Sequence, residues 1–273
     1  MLIICWRRFL RKICVFEKPG LAEADSRSRG RAWLALALCL LLLLMFPSCV
    51  PGYKSQPKGW SGPVVAGEML YTGTRKAEVK AVDLSTLRVR WKFGEGLEAI
   101  YAAPKVSEGT VYVGAYNGKL YALDAEKGWQ KWAHSTGGPI VGGPEVAEGK
   151  VFFGSSDGKL YALEAEGGKL VWEFEAGGKI WCTPAVDRER IYFGSLNHHF
   201  YALDLNTGRL IWEEEFRAAV VSSPAVDGDK VYVGTLEGEL HALDCRSGRA
   251  VWSFKAGNWF WSRPLVEEGL VYV

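Results

Sequence analysis

The chain has 273 residues, of which 48% are hydrophobic, 13% aromatic and 23% charged, a composition that supports a folded core and excludes a disordered protein. Its 33 Lys and Arg against 31 Asp and Glu give a formal net charge of +2. Residues 1–48 contain eight of the basic and three of the acidic side chains, which leaves 25 basic and 28 acidic for the remainder. A body so close to neutral lacks the basic surface that nucleic-acid binding needs, so no nucleic-acid partner is predicted.

The chain begins with a basic segment and an apolar run. The run "AWLALALCLLLLLMF", residues 32–46, contains no charge and is shorter than a comfortable bilayer span of about 20 residues. A positive flank before a short apolar stretch is typical of a secretory signal peptide, and a single transmembrane helix is the alternative. In both cases the basic side stays in the cytoplasm. Residues 1–48 are therefore predicted to be a basic segment with a signal peptide or membrane anchor, and the body to be exported to the bacterial periplasm or cell surface.

The apolar run is followed by "FPSC", which ends at Cys49. This stretch resembles a bacterial lipobox, although Phe46 stands where that motif prefers Leu and Pro47 is unusual at its position. The resemblance implies lipidation of Cys49, with residues 49–59 as a linker. Cys182 and Cys245 lie in different repeats with unlike surroundings, so they predict neither a disulfide nor a metal site.

The rest of the chain repeats itself every 40 residues. Two markers recur with spacings of 41 and then 40 residues: Trp91, Trp132, Trp172, Trp212 and Trp252, and Pro63, Pro104, Pro144, Pro184, Pro224 and Pro264. Each period contains short runs rich in β-branched and aromatic residues, such as "KVYVG" and "LYALD", separated by turns such as "YNGK" and "SDGK". Four short strands per 40 residues predict an all-β protein, a β-propeller of four-stranded antiparallel blades over residues 60–273.

One frame, Ala-x-Asp-x-x-x-Gly-x-x-x-Trp, recurs in each unit, for example at residues 122–132 and 202–212. Glu164 replaces the Asp in one copy, and Leu87 replaces the Gly in the first. The frame resembles the tryptophan-docking motif of the PQQ-like (quinoprotein-type) propeller repeat family. The resemblance covers about residues 60–273 and implies that the indole of one blade packs on the Ala and the Gly peptide of the next. The docking residues are then Trp91, Trp132, Trp172, Trp212 and Trp252.

The resemblance implies a ring of seven or eight blades, whereas the sequence contains five Trp-ended blades and a started sixth. Because the chain stops inside a strand-like run, "EEGLVYV", we expect it to be a fragment of a longer product.

Catalysis is not indicated by the residues. The acidic residue of each frame occurs at one fixed place in every unit, which is typical of a turn residue that bonds its own backbone. PQQ-dependent dehydrogenases of the family have a ring of adjacent cysteines, a calcium set and a single catalytic Asp, and this sequence has no Cys-Cys pair and no Asp that departs from the repeat. No catalytic, cofactor-binding or metal-binding residue is therefore predicted. PQQ with calcium belongs only to an alternative, a PQQ-dependent dehydrogenase fragment.

A partner-binding surface is predicted from the segments before the repeat prolines, "IYAAP", "IVGGP", "IWCTP", "VVSSP" and "FWSRP". We expect these segments to form the innermost strands. Small residues dominate, but Tyr101, Trp181 and Trp261 recur at one position, and Arg263 replaces a small residue. Aromatic residues with an Arg are typical of binding hot spots, and blade-to-blade packing is the alternative.

The whole pattern resembles the BamB-like propeller lipoproteins of outer-membrane protein assembly. That resemblance implies a non-enzymatic scaffold that is attached to the membrane and binds an envelope protein partner. A cell-surface sensor or recognition domain is a further alternative.

Overall fold

The computed structural model describes residues 61–74, 76–94 and 97–273, together with the backbone of a two-residue strand, Val15–Phe16. The predicted signal peptide or anchor, the lipidation site Cys49 and the linker lie outside the described residues. Contacts divide the chain into two units, one of which, residues 17–56, also lies outside them. Among the residues that the structure describes, no helix is long and apolar enough to cross a membrane.

The described residues form short strands throughout. In chain order they are β1 (Val15–Phe16), β2 (Val64–Ala66), β3 (Met69–Gly73), β4 (Val79–Asp83), β5 (Val89–Phe93), β6 (Lys105–Ser107), β7 (Thr110–Gly114), β8 (Lys119–Asp124), β9 (Gln130–Ser135), β10 (Glu145–Ala147), β11 (Lys150–Gly154), β12 (Lys159–Glu164), β13 (Leu170–Glu175), β14 (Ala185–Val186), β15 (Arg190–Gly194), β16 (His199–Asp204), β17 (Leu210–Glu215), β18 (Ala225–Asp227), β19 (Lys230–Gly234), β20 (Glu239–Asp244), β21 (Ala250–Lys255), β22 (Leu265–Glu267) and β23 (Leu270–Tyr272).

Strands that follow each other in sequence pair antiparallel, which gives five four-stranded sheets. We call them blades 1 to 5: β2–β5, β6–β9, β10–β13, β14–β17 and β18–β21. A sixth sheet has the order β1-β23-β22. The first strands of successive sheets are neighbours, from β2 through β6, β10, β14 and β18 to β22. The predicted all-β fold of four-stranded antiparallel blades is confirmed.

The hydrophobic core lies between blades. One buried cluster, for example, combines Tyr192, Phe200 and Trp212 of blade 4 with Val231 and Leu243 of blade 5. Each sheet therefore buries one face against the sheet before it and the other against the sheet after it. A blade alone could not remove both apolar faces from water, which explains why the sequence repeats.

The repeat tryptophans join neighbouring blades through a glycine and a carbonyl. The ring of Trp172 lies against Gly208 of the next blade so closely that a Cβ there would be 2.6 Å from the ring. Its Nε1–H donates to Leu205 O at 3.2 Å. The same pair of contacts joins Trp91 to Gly128 and Ala125 O, Trp132 to Gly168 and Ala165 O, and Trp212 to Gly248 and Cys245 O.

The alanine of the frame has a different place from the expected one. Ala162 is the direct cross-strand partner of Trp172 within one blade, and Ala202 has the same relation to Trp212. A register shift follows each of these alanines. The small side chain therefore makes room for its own blade's indole, and only the glycine and the carbonyl belong to the next blade.

A second donor supports three of these junctions. Tyr71 Oη donates to Ala125 O at 3.1 Å, Tyr112 Oη to Ala165 O at 3.0 Å and Tyr192 Oη to Cys245 O at 3.3 Å. The accepting carbonyl is the one that the tryptophan N–H reaches. Both of its lone pairs are therefore used, which fixes the position of each blade on the next.

The acidic residue of the frame organises the turn that holds this carbonyl. Asp204 Oδ1 accepts hydrogen bonds from the backbone N–H groups of Asn206 and Thr207 at 3.1 and 2.8 Å. In blade 1, bonds from Ser85 Oγ and the turn backbone lower the pKa of Asp83 to about 2. A carboxylate used in this way is a turn residue, as interpreted from the sequence.

Blade 1 departs from the frame at Leu87. This residue has φ of 54°, a left-handed conformation that suits glycine, and its side chain is 76% exposed. Blade 1 therefore carries a Cβ at the position where blades 2 to 5 seat an indole.

Candidate functional site

The predicted partner-binding residues lie at one end of the blades, which we call the turn face. It comprises the turns between second and third strands, residues 115–118, 155–158, 195–198 and 235–238, and the junction segments between blades, residues 99–104, 139–144, 179–184, 219–224 and 259–264. The two sets are tied by backbone hydrogen bonds, for example from Ile140 N to Ala115 O at 3.1 Å and from Phe260 N to Thr235 O at 3.3 Å.

The junction segments are bends, and the expectation that they form the innermost strands is wrong. Each innermost strand begins after the proline, as β6 does at Lys105 and β10 at Glu145. The small residues of the segment allow backbones to approach closely, because a Cβ on Gly142 would lie 2.2 Å from Cys182 O. The chain uses this segment to cross from an outer strand to the next inner strand, which a straight strand could not do.

One apolar residue anchors every junction segment. Ile140, Ile180 and Val220 are fully buried and lie over the glycines that end the second strands, Gly114, Gly154 and Gly194. Phe260 lies over Gly234 in the same way. The anchor fixes where the following residue emerges, and that residue is Tyr101, Val141, Trp181, Val221 or Trp261.

Tyr101 and Trp181 are half-buried at this position. The ring of Tyr101 meets the edge of Tyr116 with centroids 5.5 Å apart. Trp181 Nε1–H donates to Ser156 Oγ at 3.0 Å. Each side chain is thus packed on a turn and retains part of its ring at the surface.

Trp261 and Arg263 are more accessible. Trp261 is 58% exposed, Arg263 is exposed, and neither has a hydrogen bond, ion pair or ring contact with any residue that the structure describes. Trp259, on the same segment, is 67% exposed. The four predicted residues therefore share one face but belong to three different junctions, and only Trp261 and Arg263 lie on one segment.

Three aromatic residues were not predicted individually. Trp259 and the 43% exposed Tyr116 both lie on the turn face. Tyr116 could have been found as the aromatic residue at a turn position that is Ser156 in the next repeat. Trp60, three residues before Pro63, has the same spacing as Tyr101 and lies outside the described residues.

The opposite end of the blades is charged. Turns of blades 3, 4 and 5 line a cleft of about 790 Å³ there. Its acidic lining residues include Glu148, Asp187 and Asp229, and its basic ones Arg188, Arg190 and Arg246. Asp187 Oδ2 accepts from Tyr192 Oη at 2.7 Å and from Arg190 Nη1 at 3.1 Å. Both signs of charge are mixed, and exposed aromatic residues are concentrated at the turn face instead.

The described residues do not fit the quinone cofactor of the PQQ-dependent dehydrogenases. Cys182 and Cys245 are both free and buried. Cys182 Sγ bridges the N and O of Gly194 at 3.3 and 3.4 Å, as Ser222 Oγ bridges Gly234, and burial raises the pKa of this thiol to about 12. A thiol used as a core hydroxyl is not placed to form a cysteine ring over a cofactor. Within residues 61–74, 76–94 and 97–273, no cluster of three His, Cys, Asp or Glu could hold a metal ion.

Known structures share this architecture. A computationally designed protein, Ika8, matches with a TM-score of 0.70 at 14% identity, over 81% of this chain and 69% of that one. BamB from Moraxella catarrhalis matches with a TM-score of 0.53 at 20% identity, over 78% and 81%. The quinohemoprotein alcohol dehydrogenase from Comamonas testosteroni matches with a TM-score of 0.64 at 20% identity, over 72% of this chain but only 42% of that one. At these identities the matches show the propeller fold alone.

The sequence comparisons are more specific. No curated protein matches the chain. The family model described as outer membrane protein assembly factor BamB matches residues 25–142, 136–222 and 197–273. These three segments span most of the chain and follow the repeat derived above. The protein therefore belongs to the BamB family of PQQ-like repeat propellers.

Proposed function

We propose that the protein is a non-enzymatic propeller scaffold, exported and attached to the membrane through a lipid on Cys49 or a single N-terminal helix. It binds an envelope protein partner through the turn face and takes part in outer-membrane protein assembly. The family description supports the assembly role. The observation that carries the binding role is the exposed group Trp259, Trp261 and Arg263, which no described residue covers.

The use of the polar residues supports a scaffold rather than an enzyme. The repeated aspartates bond their own turns, the cysteines are core residues, and the aromatic hydroxyls and indole N–H groups hold blades together. These groups serve the stacking of blades, and the most exposed aromatic surface has the composition of a protein interface. We propose no bound cofactor.

The proposal is tested in the native host by replacing Trp261 and Arg263 together with alanine. We expect less folded β-barrel protein in the outer membrane, measured by heat-modifiable mobility on gels, at an unchanged level of the propeller itself. Arg246→Ala, at the charged end of the blades, is the matched control and should leave the barrels at the wild-type level.

Two results would overturn the proposal. One is normal barrel assembly in cells that lack the gene. The other is a quinone absorbance with dye-linked alcohol or sugar oxidation after PQQ and calcium are added to the purified chain, which would favour the dehydrogenase alternative.

A further inference from the structure

A short series of hydrogen bonds links the junction segments at their last residue before proline. Gly143 N–H donates to Thr183 Oγ1 at 2.8 Å, and Thr183 N–H donates to Ser223 Oγ at 2.9 Å. These residues directly precede Pro144, Pro184 and Pro224. The hydroxyl of one junction therefore satisfies the backbone donor of the junction before it.

The next residue in this series is Arg263, before Pro264. The strands that follow, β18 and β22, are neighbours, as β14 and β18 are. The side chain of Arg263 therefore begins beside Ser223 N–H, just as the side chain of Ser223 begins beside Thr183 N–H. Arginine offers donors where Thr183 and Ser223 offer an acceptor. Among the described residues, Ser223 N–H has no acceptor and Arg263 has no hydrogen bond or ion pair.

An open backbone N–H next to an open guanidinium requires an acceptor with negative charge. A carboxylate meets both, because the planar guanidinium binds it through two parallel N–H groups while a carboxylate oxygen keeps a lone pair for a further donor. No acidic residue that the structure describes occupies this place, since each described ion pair involves other side chains.

The surroundings favour a polypeptide over a small free acid. Trp259 and Trp261, at 67% and 58% exposure, lie on the same segment as Arg263 and are not enclosed in a cavity. A small acid would leave both indoles in water, whereas a peptide segment with apolar residues beside its carboxylate would cover them.

We propose that Arg263, Ser223 N–H, Trp259 and Trp261 form a binding site for an Asp or Glu side chain within an apolar segment of the partner protein. This inference rests on the proposed function and deepens it by naming the chemistry of the partner. Arg263 supplies the charge recognition and the two indoles supply the buried area.

The test uses the full chain with ¹⁵N-labelled tryptophan and two blocked peptides, acetyl-Ala-Leu-Glu-Leu-Ala-amide and its Gln counterpart. The indole N–H signal of Trp261 is assigned by its loss in Trp261→Phe. We expect the Glu peptide to shift this signal saturably and to bind about tenfold more tightly than the Gln peptide, the ratio that one charge-assisted pair supplies. Arg263→Gln should abolish the preference, and Arg246→Gln, the matched control, should retain it.

Equal binding of the two peptides, an unchanged preference in Arg263→Gln, or no shift at millimolar peptide would overturn the inference. A shift produced by glutarate as strongly as by the Glu peptide would also overturn it, because the site would then belong to a small acid. If the peptides fail while the Trp261 and Arg263 replacements still reduce barrel assembly in cells, the carboxylate chemistry is wrong and the proposed function stands.

Discussion

The repeat tryptophans each combine a buried ring with one specific hydrogen bond. Trp212 is 9% exposed, and its Nε1–H donates to Cys245 O at 3.0 Å. Phenylalanine at this position would keep a ring in the junction but lose the donor and part of the volume. The cost of such a change is about 1–3 kcal/mol, the sum of a lost hydrogen bond and a small cavity.

We therefore expect Trp212→Phe to lower the midpoint of urea unfolding by an amount equivalent to about 1–3 kcal/mol, followed by circular dichroism. Trp129→Phe is the matched control, because Trp129 is 57% exposed and should tolerate the change within about 0.5 kcal/mol. Equal midpoints for the two variants would show that the junction hydrogen bond has no net effect on stability.

His241 makes one blade sensitive to pH. It occupies the place of Tyr121, Tyr161 and Tyr201, and its ring lies 4.4 Å from that of Phe216. Its Nε2 is buried without a hydrogen bond, although Glu239 Oε2 is 3.5 Å away. Burial lowers the pKa of His241, and this outweighs the opposing effect of Glu239. The folded state therefore disfavours the charged ring.

A histidine with a lowered folded pKa contributes stability that is complete above its unfolded pKa of about 6.5 and is lost as the pH falls from there towards the folded pKa. We expect His241→Tyr to reduce the loss of stability between pH 7.5 and pH 5, measured from urea midpoints across that range. His199→Tyr, at the start of β16, should keep the wild-type slope. A wild-type slope in His241→Tyr would contradict this account.

The docking residues of each junction could be predicted from spacing, but their acceptors could not. Trp, Gly and Asp recur as residue types, so a sequence shows them directly. The acceptor is a backbone carbonyl, and it belongs to Ala125, Ala165, Leu205 and Cys245 in turn. Because every residue has a carbonyl, no residue type marks this one.

At the level of strands and turns, the glycine of the frame has two separable roles. Gly208 has φ of +68° and would place a Cβ 2.6 Å from the ring of Trp172. Gly177 has φ of +75°, and a Cβ there would meet nothing within 4 Å. The two positions share the backbone conformation and differ in the indole, so together they isolate the steric part.

We expect Gly177→Ala to cost about 1 kcal/mol from the backbone alone, and Gly208→Ala to cost about 1–3 kcal/mol more, because the indole must move. The comparison is made by thermal and urea unfolding of the two variants. Similar losses would indicate that the indole shifts at no cost and that the glycine serves only the turn.

Strand pairing was predictable because alternating residues and Asn-Gly or Asp-Gly turns are local signals. The junction segments were assigned wrongly to strands. In "IVGGP", for example, the first residue is apolar and buried like a strand residue, but it is an anchor over the glycine of another strand. That contact joins Ile140 to Gly114 across 26 positions, and no local pattern contains it.

For the molecule as a whole, the repeat predicted which end of each blade faces its neighbour but not which aromatic residues stay exposed. Tyr101, Trp181 and Trp261 have the same place in the repeat, yet one meets Tyr116, one bonds Ser156 and one has no described partner. The difference depends on single turn residues in adjacent blades. Exposure is therefore a property of pairs of repeats, and a single repeat pattern does not carry it.

Leu87 gives the row of blades a direction. A tryptophan seated on blade 1 as Trp172 is seated on Gly208 would collide with the Leu87 Cβ. Trp252 of a second molecule is therefore excluded from this pose on blade 1. Identical modules that stack head to tail without closure build filaments. One side chain in an otherwise glycine position thus denies the docking device of this fold to open-ended polymerisation.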